Sequence, residues 1–310
     1  MTDIVVVGSL NMDTVVSVPH IPKIGETILA TDVNYYGGGK GANQAIAAAR
    51  LGSKVSMIGK VGKDRSGQAL LAALKREGID TTGVEVSKDI TGTAFINVSN
   101  KGENNIVVYP GANRDLGIRQ IERHREIIEN SKVCVLQLEI PYEVVKYVVN
   151  LCYEKGVKVV FNPAPASKEI EDELISKTHI LIPNETELAI LAGEYKYSPK
   201  KLEEIADRVY NKGCENLIIT LGDKGGLYIS KDKREYFESK KVDLVDTTAA
   251  GDSFVGALVT GIVEGKTILE SIEFASFAAA LTVTKPGAQN SLPIRAGVEK
   301  FANRFLNNKN

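Results

Sequence analysis

A chain of 310 residues, 43% hydrophobic and 25% charged, is long enough to bury a sizeable core, and α/β folds of this length often form one domain. Its formal net charge of −1 argues against a broad attraction to nucleic acid or an anionic membrane, so an anionic ligand has to be held by local groups such as backbone N–H. Cys134, Cys152 and Cys214 are an odd, scattered set without a CxxC pair, and His20, His124 and His179 lack paired-ligand spacing, so neither a disulfide framework nor a zinc site fits.

In chain order, short β-branched runs alternate with helical patterns. Residues 4–7 read as a buried strand, the Ala-rich 41–51 as a helix, 54–59 as a strand and 66–77 as a helix ending near Gly78. Further strands are expected at 133–138, 157–161, 180–182 and 217–221, with helices around 144–154 and 202–211. From 251 to about 284 the chain is Ala-rich and mostly helical. This rhythm predicts a mostly parallel central sheet with helices on both faces, a three-layer α/β/α fold over 1–310. Two stretches break it, about 14–36 with Pro19, Pro22 and Gly25, and about 92–109 with the turn Asn100-Lys101-Gly102. Extended segments without crossover helices predict a small antiparallel patch attached to the main sheet. The apolar run at 4–7 is too short for a signal-peptide core, and no stretch reaches the roughly 18 apolar residues of a membrane span, so the cytoplasm is the expected location.

Four motifs carry candidate chemistry. Tyr36-Gly37-Gly38-Gly39-Lys40-Gly41-Ala42-Asn43-Gln44 brings glycines to a small-residue helix, where a ligand can approach the backbone. It is neither GxGxxG nor a Walker A motif, and it also reads as a plain turn before a helix. Asp246-Thr247-Thr248-Ala249-Ala250-Gly251-Asp252 leads into a helix whose free N–H groups can bind phosphate, although Asp252 also reads as a simple helix cap. Asn184-Glu185-Thr186-Glu187 puts carboxylates at a strand end, where they can hold hydrated Mg²⁺ or merely start a helix. Thr220-Leu221-Gly222-Asp223-Lys224-Gly225-Gly226 runs from a strand into a glycine-rich turn, which suits a nucleotide crevice or a β-hairpin.

Taken in order, GSLNMD (8–13), GGGKGANQA (37–45), NPAPA (162–166), NETE (184–187), TLGDKGG (220–226), the Asp246–Phe254 block and KPGAQNS (285–291) closely resemble the ribokinase family of carbohydrate kinases over essentially the whole chain. The resemblance implies an ATP-dependent sugar kinase, with D-ribose phosphorylated at its 5-hydroxyl as the leading expectation. Other members act on 2-deoxyribose, fructose, adenosine or pseudouridine, and a non-catalytic sugar-sensing protein with this fold is the alternative outside enzymes. An NAD-dependent dehydrogenase lacks its fingerprint here.

By the same resemblance Asp252 is the catalytic base, and the backbone amides of Ala249, Ala250 and Gly251 form the anion hole. The more widespread family form has glycine where Ala249 stands. Sugar contacts map to Asn11, Asp13, Gly39, Lys40, Asn43, Glu139 and Asp252, and nucleotide contacts to Asn184, Thr220, Gly222, Gly225, Gly251 and Ser276. Glu187 falls near Mg²⁺, through water. A monovalent cation, K⁺, maps to Asp246, to the carbonyls of Thr248, Thr282, Lys285 and Gly287, and to Ser291. The two extended stretches correspond to a β-sheet lid that covers the sugar and pairs two subunits into a homodimer. No nucleic acid or membrane partner is implied.

Overall fold

All four residues of β1 (Ile4–Val7) are buried, yet they face two different cores. Ile4 and Val6 pack into one apolar layer and Val5 and Val7 into the other. That is the period-2 alternation of a strand covered on both faces. Val133 and Val135 against Cys134 and Leu136 repeat it, as does Ile218 against Leu217 and Ile219.

The computed structural model describes residues 2–194 and 197–307. The other strands are β2 (Asn11–Val18), β3 (Asp32–Gly38), β4 (Val55–Gly62), β5 (Asp80–Ser87), β6 (Gly92–Ser99), β7 (Asn104–Tyr109), β8 (Val133–Leu136), β9 (Lys158–Phe161), β10 (Ile180–Leu181), β11 (Asn216–Thr220), β12 (Gly226–Ser230) and β13 (Arg234–Phe237). Eight of these join β1 in a nine-stranded sheet in the order β13-β12-β11-β10-β9-β8-β1-β4-β5. Pairing is parallel from β11 to β5 and antiparallel at β11–β12 and β12–β13. Helices Lys40–Arg50, Ala250–Val263 and Ile268–Thr282 fill the core on one face, and helices Tyr142–Lys155 and Leu202–Tyr210 fill the other. The three-layer α/β/α architecture is therefore as expected.

Several boundaries differ from the sequence reading for local reasons. The strand expected at 133–138 ends at Leu136, because the Leu138 N–H turns away to the Ala164 carbonyl (3.0 Å) before Pro141 leads into the next helix. Glu139 thus sits in the loop beyond the strand. The strand expected at 54–59 continues to Gly62, since Lys60, Val61 and Gly62 all pair with β5. The helical tract after 251 is two helices, broken at Gly265 (φ 85°) and restarted by a capping box between Thr267 and Glu270.

The two interrupting stretches form a separate four-stranded sheet, in the order β3-β2-β6-β7. It begins at Asn11, earlier than the expected 14, and residues 19–31 are not in its strands. Pairs β2–β3 and β6–β7 are antiparallel as expected, but the central pair β2–β6 is parallel. The chain visits β4 and β5 of the main sheet between them and returns in the direction of β2, so an all-antiparallel patch does not form. The three cysteines are buried and unpaired. No helix among the described residues is long and apolar enough to cross a membrane.

One contact fixes how the first core presents the residues that matter below. A Cβ on Gly256 would lie 2.5 Å from the Ala47 Cβ and 2.9 Å from the Gln44 carbonyl oxygen. The absent side chain lets helices Lys40–Arg50 and Ala250–Val263 touch backbone to backbone. Gly256→Val is expected to lower stability by about 1–3 kcal/mol through overpacking, read from the denaturation midpoint. An unchanged midpoint would show that the helices do not need this closeness.

Candidate active site

The Ala250–Val263 helix opens on a residue in an unusual conformation. Ala249, its N-cap, has φ 60° and ψ 10°, the left-handed region, and is the one non-glycine residue with positive φ among those described. Such a conformation costs an alanine on the order of 1–2 kcal/mol, a cost that glycine would avoid. The first-turn N–H groups at Gly251 and Asp252 have no preceding helical carbonyl to bond. Asp252 does not cap this helix. Its carboxylate, 7% exposed, turns inward to the neighbouring helix, where Oδ2 accepts the Asn43 Nδ2–H (2.9 Å) and Oδ1 accepts the Gln44 Nε2–H (3.0 Å). Burial pushes the Asp252 carboxyl up; Lys40, Asn43 and Gln44 oppose that shift and Glu139 adds to it.

Gly39, with φ 86°, turns the chain into the Lys40–Arg50 helix, and a Cβ there would lie 2.7 Å from the Asn11 nitrogen. The turn presses Lys40 and Gly41 onto the loop after β1. Glu139 Oε2 accepts both the Lys40 N–H (3.0 Å) and the Ser9 hydroxyl (2.6 Å). The space where Gly38 lacks a side chain is filled by the Asp13 carboxylate. Asn11 is buried and its Oδ1 accepts from Asn113 Nδ2 (2.7 Å). Burial, then Glu139 and Asp252, push Asp13 up to about 7. Burial alone would lower the Lys40 ammonium, but Asp252, Glu139 and Glu187 together raise it. Asp13, Lys40, Asn43, Glu139 and Asp252 therefore bear on one another as one charged cluster, with Asn11 and Gly39 at its edge.

Asp252 also lines a cavity of about 220 Å³. Lys40, Asn162, Asn184, Glu187 and Thr220 line it, together with Ala249, Ala250, Gly251 and Asp252. Asn184 caps the Glu185–Leu191 helix: its Oδ1 accepts the Thr186 and Glu187 N–H groups (both 2.9 Å), and Glu187 Oε2 accepts the Asn184 N–H (2.9 Å). The tetrapeptide is thus a helix start and a cavity wall at once. Burial raises the Glu187 carboxyl against the pull of the Asn184 N–H and Lys40. Gly222 and Gly225 shape the turn of the β11–β12 hairpin, where the Leu221 N–H reaches the Gly225 carbonyl (2.8 Å). Ser276 does not join this wall. It is buried in the Ile268–Thr282 helix and its hydroxyl donates to the Ile272 carbonyl (2.8 Å).

The pfkB family carbohydrate kinase model matches residues 1–295. The chain is 43% identical to a ribokinase of Haemophilus influenzae over 297 residues, covering 96% of this chain and 97% of that one. It is 37% identical to a deoxyribokinase of Salmonella typhi over 305 residues, with 98% of each covered. A structure of an Arabidopsis thaliana ribokinase complexed with ribose and ATP superposes with a TM-score of 0.88 at 32% identity, covering 97% of this chain and 98% of that one. The chain belongs to the pfkB family of carbohydrate kinases.

As a pfkB-family kinase it is a phosphotransferase that uses ATP, with a divalent metal, on a carbohydrate. The residues mapped to a monovalent cation lie next to the helix entrance. Asp246 Oδ1 accepts the Thr248 N–H (2.9 Å) and hydroxyl (2.6 Å), and Oδ2 accepts the Gly287 N–H (2.8 Å). These bonds hold its carboxyl below the ordinary value although burial works the other way. The Val245 N–H bonds to the Val283 carbonyl (2.8 Å), and the Lys285 N–H to the Thr282 carbonyl (3.2 Å), so the two loops run side by side. The Thr282 hydroxyl is spent on Ser253 Oγ (2.7 Å) and the Ser291 hydroxyl on the Ala288 carbonyl (2.8 Å).

Sequence reasoning gave no role to Ser9, Gln44, Asn113, Gln137 or Asn162. Ser9, Gln44 and Asn162 lie in the quoted motifs, and the signal was an uncharged polar residue in an otherwise apolar or glycine-rich setting. The burial of four of them shows only in three dimensions, with Ser9 and Gln137 at 0% exposure and Gln44 and Asn113 at 1%.

Asp13 supplies a pH test. Its folded value of about 7 lies above the ordinary 3.8, so the folded state holds the proton more tightly than the unfolded one. Stability is therefore lost as pH rises from about 4 to 7. Asp13→Asn should stabilise the ligand-free kinase at pH 8 by on the order of 1–3 kcal/mol, and by much less near pH 5. Thermal unfolding at both pH values checks this; an equal effect at both would contradict it.

Proposed function

We propose that the chain transfers the γ-phosphoryl group of ATP to the 5-hydroxyl of D-ribose, giving ribose 5-phosphate and ADP. The observation that carries this reading is the position of Asp252. Its carboxylate belongs both to the Asp13–Asn43–Glu139 cluster and to the wall of the cavity lined by Asn184, Glu187 and Thr220. A hydroxyl held by the first meets a phosphoryl group held in the second. The names of the Haemophilus and Arabidopsis relatives favour ribose. The Salmonella relative keeps 2-deoxyribose as the second reading, which differs by one hydroxyl contact.

Asn11, Asp13, Lys40, Asn43, Glu139 and the backbone at Gly39 hold the sugar in this proposal. Asn43 Oδ1 is buried without a hydrogen-bond partner, a ready acceptor for a sugar hydroxyl. Asp252 orients the 5-hydroxyl. A carboxylate cannot strip a sugar hydroxyl in the ground state, but phosphoryl transfer passes through a loose transition state, so the proton moves late and Asp252 accepts it then. The amides of Ala249, Ala250 and Gly251 stabilise charge on the transferring group, the Ala250 N–H by giving up its long bond to the Thr247 carbonyl (3.3 Å). Asn184, Thr220 and the Gly222–Gly225 turn hold the nucleotide; Ser276 contributes through its helix, because its hydroxyl is already engaged.

Glu187 suits a hydrated Mg²⁺. One cavity-lining carboxylate with one oxygen committed to the Asn184 N–H leaves most coordination to water and phosphate, as that ion prefers, and the ion would neutralise phosphate charge. The Asp246 loop suits K⁺. A single carboxylate among the carbonyls of Thr248, Thr282, Lys285 and Gly287 and the oxygen of Ser291 matches a large singly charged ion. The four-stranded sheet would act as the lid, its Asp13 face toward the sugar. Val33, Tyr35, Phe95 and Val107 share the opposite face and are exposed, which supports a homodimer formed by two lids. Such an enzyme works in the cytoplasm, where ATP is supplied.

A coupled ADP-release assay over a sugar panel with Mg-ATP tests the reading. D-ribose should be turned over fastest, and Asp252→Asn should cut its kcat by at least ~10²-fold. Near-normal turnover in that variant removes Asp252 from its role, and a preference for 2-deoxyribose replaces the substrate. In Na⁺ buffer the rate should rise several-fold when K⁺ is added, with Asp246→Ala abolishing the rise; a rate flat across K⁺ concentrations would count against the cation loop.

A further inference from the structure

Gln44 sits one residue beyond Asn43, 1% exposed, and its side chain bonds to the buried Asp252 and Gln137 and to the half-buried Asn162. Its Nε2 donates to Asp252 Oδ1 (3.0 Å) and to Asn162 Oδ1 (3.2 Å). Its Oε1 accepts from Gln137 Nε2 (2.6 Å), on a side chain with no exposure at all. Asn162 is tied in turn to the Ile182 carbonyl through Nδ2 (2.9 Å) and lines the cavity. A carboxamide with a free rotor could offer Asp252 either its oxygen or its nitrogen. Here the Gln137 donor claims the oxygen, so only the N–H edge can face the carboxylate.

We propose that Gln44 is a positioning residue for the phosphoryl transfer: with Gln137 and Asn162 it locks Asp252 in the orientation and ionised form that receive the sugar proton. This rests on the reading of Asp252 as the base. Asn43 and Gln44 divide the work. Each engages one oxygen of Asp252, but Asn43 keeps an unpartnered oxygen for substrate whereas Gln44 is anchored on the protein side only. Lys40, Glu139, Asp13 and Glu187 are the charged groups that bear on Asp252; Lys40 favours its ionised form and the three carboxylates disfavour it. With acids outnumbering the lysine around a buried carboxylate, the Gln44 donor is one of the few neutral means of keeping it charged.

The test uses Gln44→Met, unbranched and close in volume, beside Asp252→Asn and the double variant, all on the full chain with D-ribose and Mg-ATP. The expected result for Gln44→Met is a kcat about 10–100-fold lower. KM for both substrates should stay within about twofold, and the acid limb of the kcat–pH profile should move to higher pH, because a lost donor disfavours the carboxylate. The double variant should be no slower than Asp252→Asn alone, since Gln44 acts only through that carboxylate. A second variant, Gln137→Met, frees the Gln44 rotor and should lower kcat in the same sense by a smaller factor, so the test survives misfolding of Gln44→Met. A folded Gln44→Met with unchanged kcat and acid limb overturns the proposal, as does a further loss in the double variant. Full activity in Asp252→Asn instead overturns the base assignment, so the two failures are told apart.

Discussion

The site depends on the close contact of two helices from distant parts of the chain. The Lys40–Arg50 helix brings Asn43 and Gln44, the Ala250–Val263 helix brings Asp252, and Gly256 lets their backbones meet. Had the helices packed on large side chains, their axes would lie farther apart and the 2.9 and 3.0 Å bonds to Asp252 could not form. The same approach sets the first turn of the second helix and Lys40 on the wall of one cavity. Placement of Asp252, placement of Asn43 and Gln44 and packing of the first core are thus one geometric condition.

Electrostatics gives the second constraint. Glu139, Glu187 and Asp252 act on Lys40, Asp13 feels Glu139 and Asp252, and burial raises Asp13, Glu187 and Asp252 above their ordinary values. Such a cluster weakens the empty protein. Under the proposed function, substrate hydroxyls and phosphate-bound cations take up the exposed lone pairs. The left-handed Ala249 adds strain at the same spot. The two large apolar cores on either side of the nine-stranded sheet supply the rigidity that holds both in place.

Much of this was legible in the sequence, because short β-branched runs and Ala-rich helices leave a strong periodic signal. Residues 4–7 read as buried on both faces since all four are β-branched, and they are. The motif order carried the family. What stayed hidden depends on pairing between distant segments: the parallel β2–β6 contact, the end of β8 before Glu139, and the edge strands β12 and β13. Within the site, Asn43 and Gln44 look alike in sequence, and only their partners separate a group left open to substrate from one tied to the protein. Ser276 carries the same lesson in reverse, for its hydroxyl turns back to its own helix.

The account stands on where a sugar hydroxyl meets Asp252. A crystal structure with D-ribose and a non-hydrolysable ATP analogue measures this directly. The account predicts the 5-hydroxyl oxygen within about 2.6–3.2 Å of the Asp252 carboxylate, with the terminal phosphate facing the amides of Ala249, Ala250 and Gly251. A pentose bound away from Asp252, or a terminal phosphate outside that helix entrance, would contradict it.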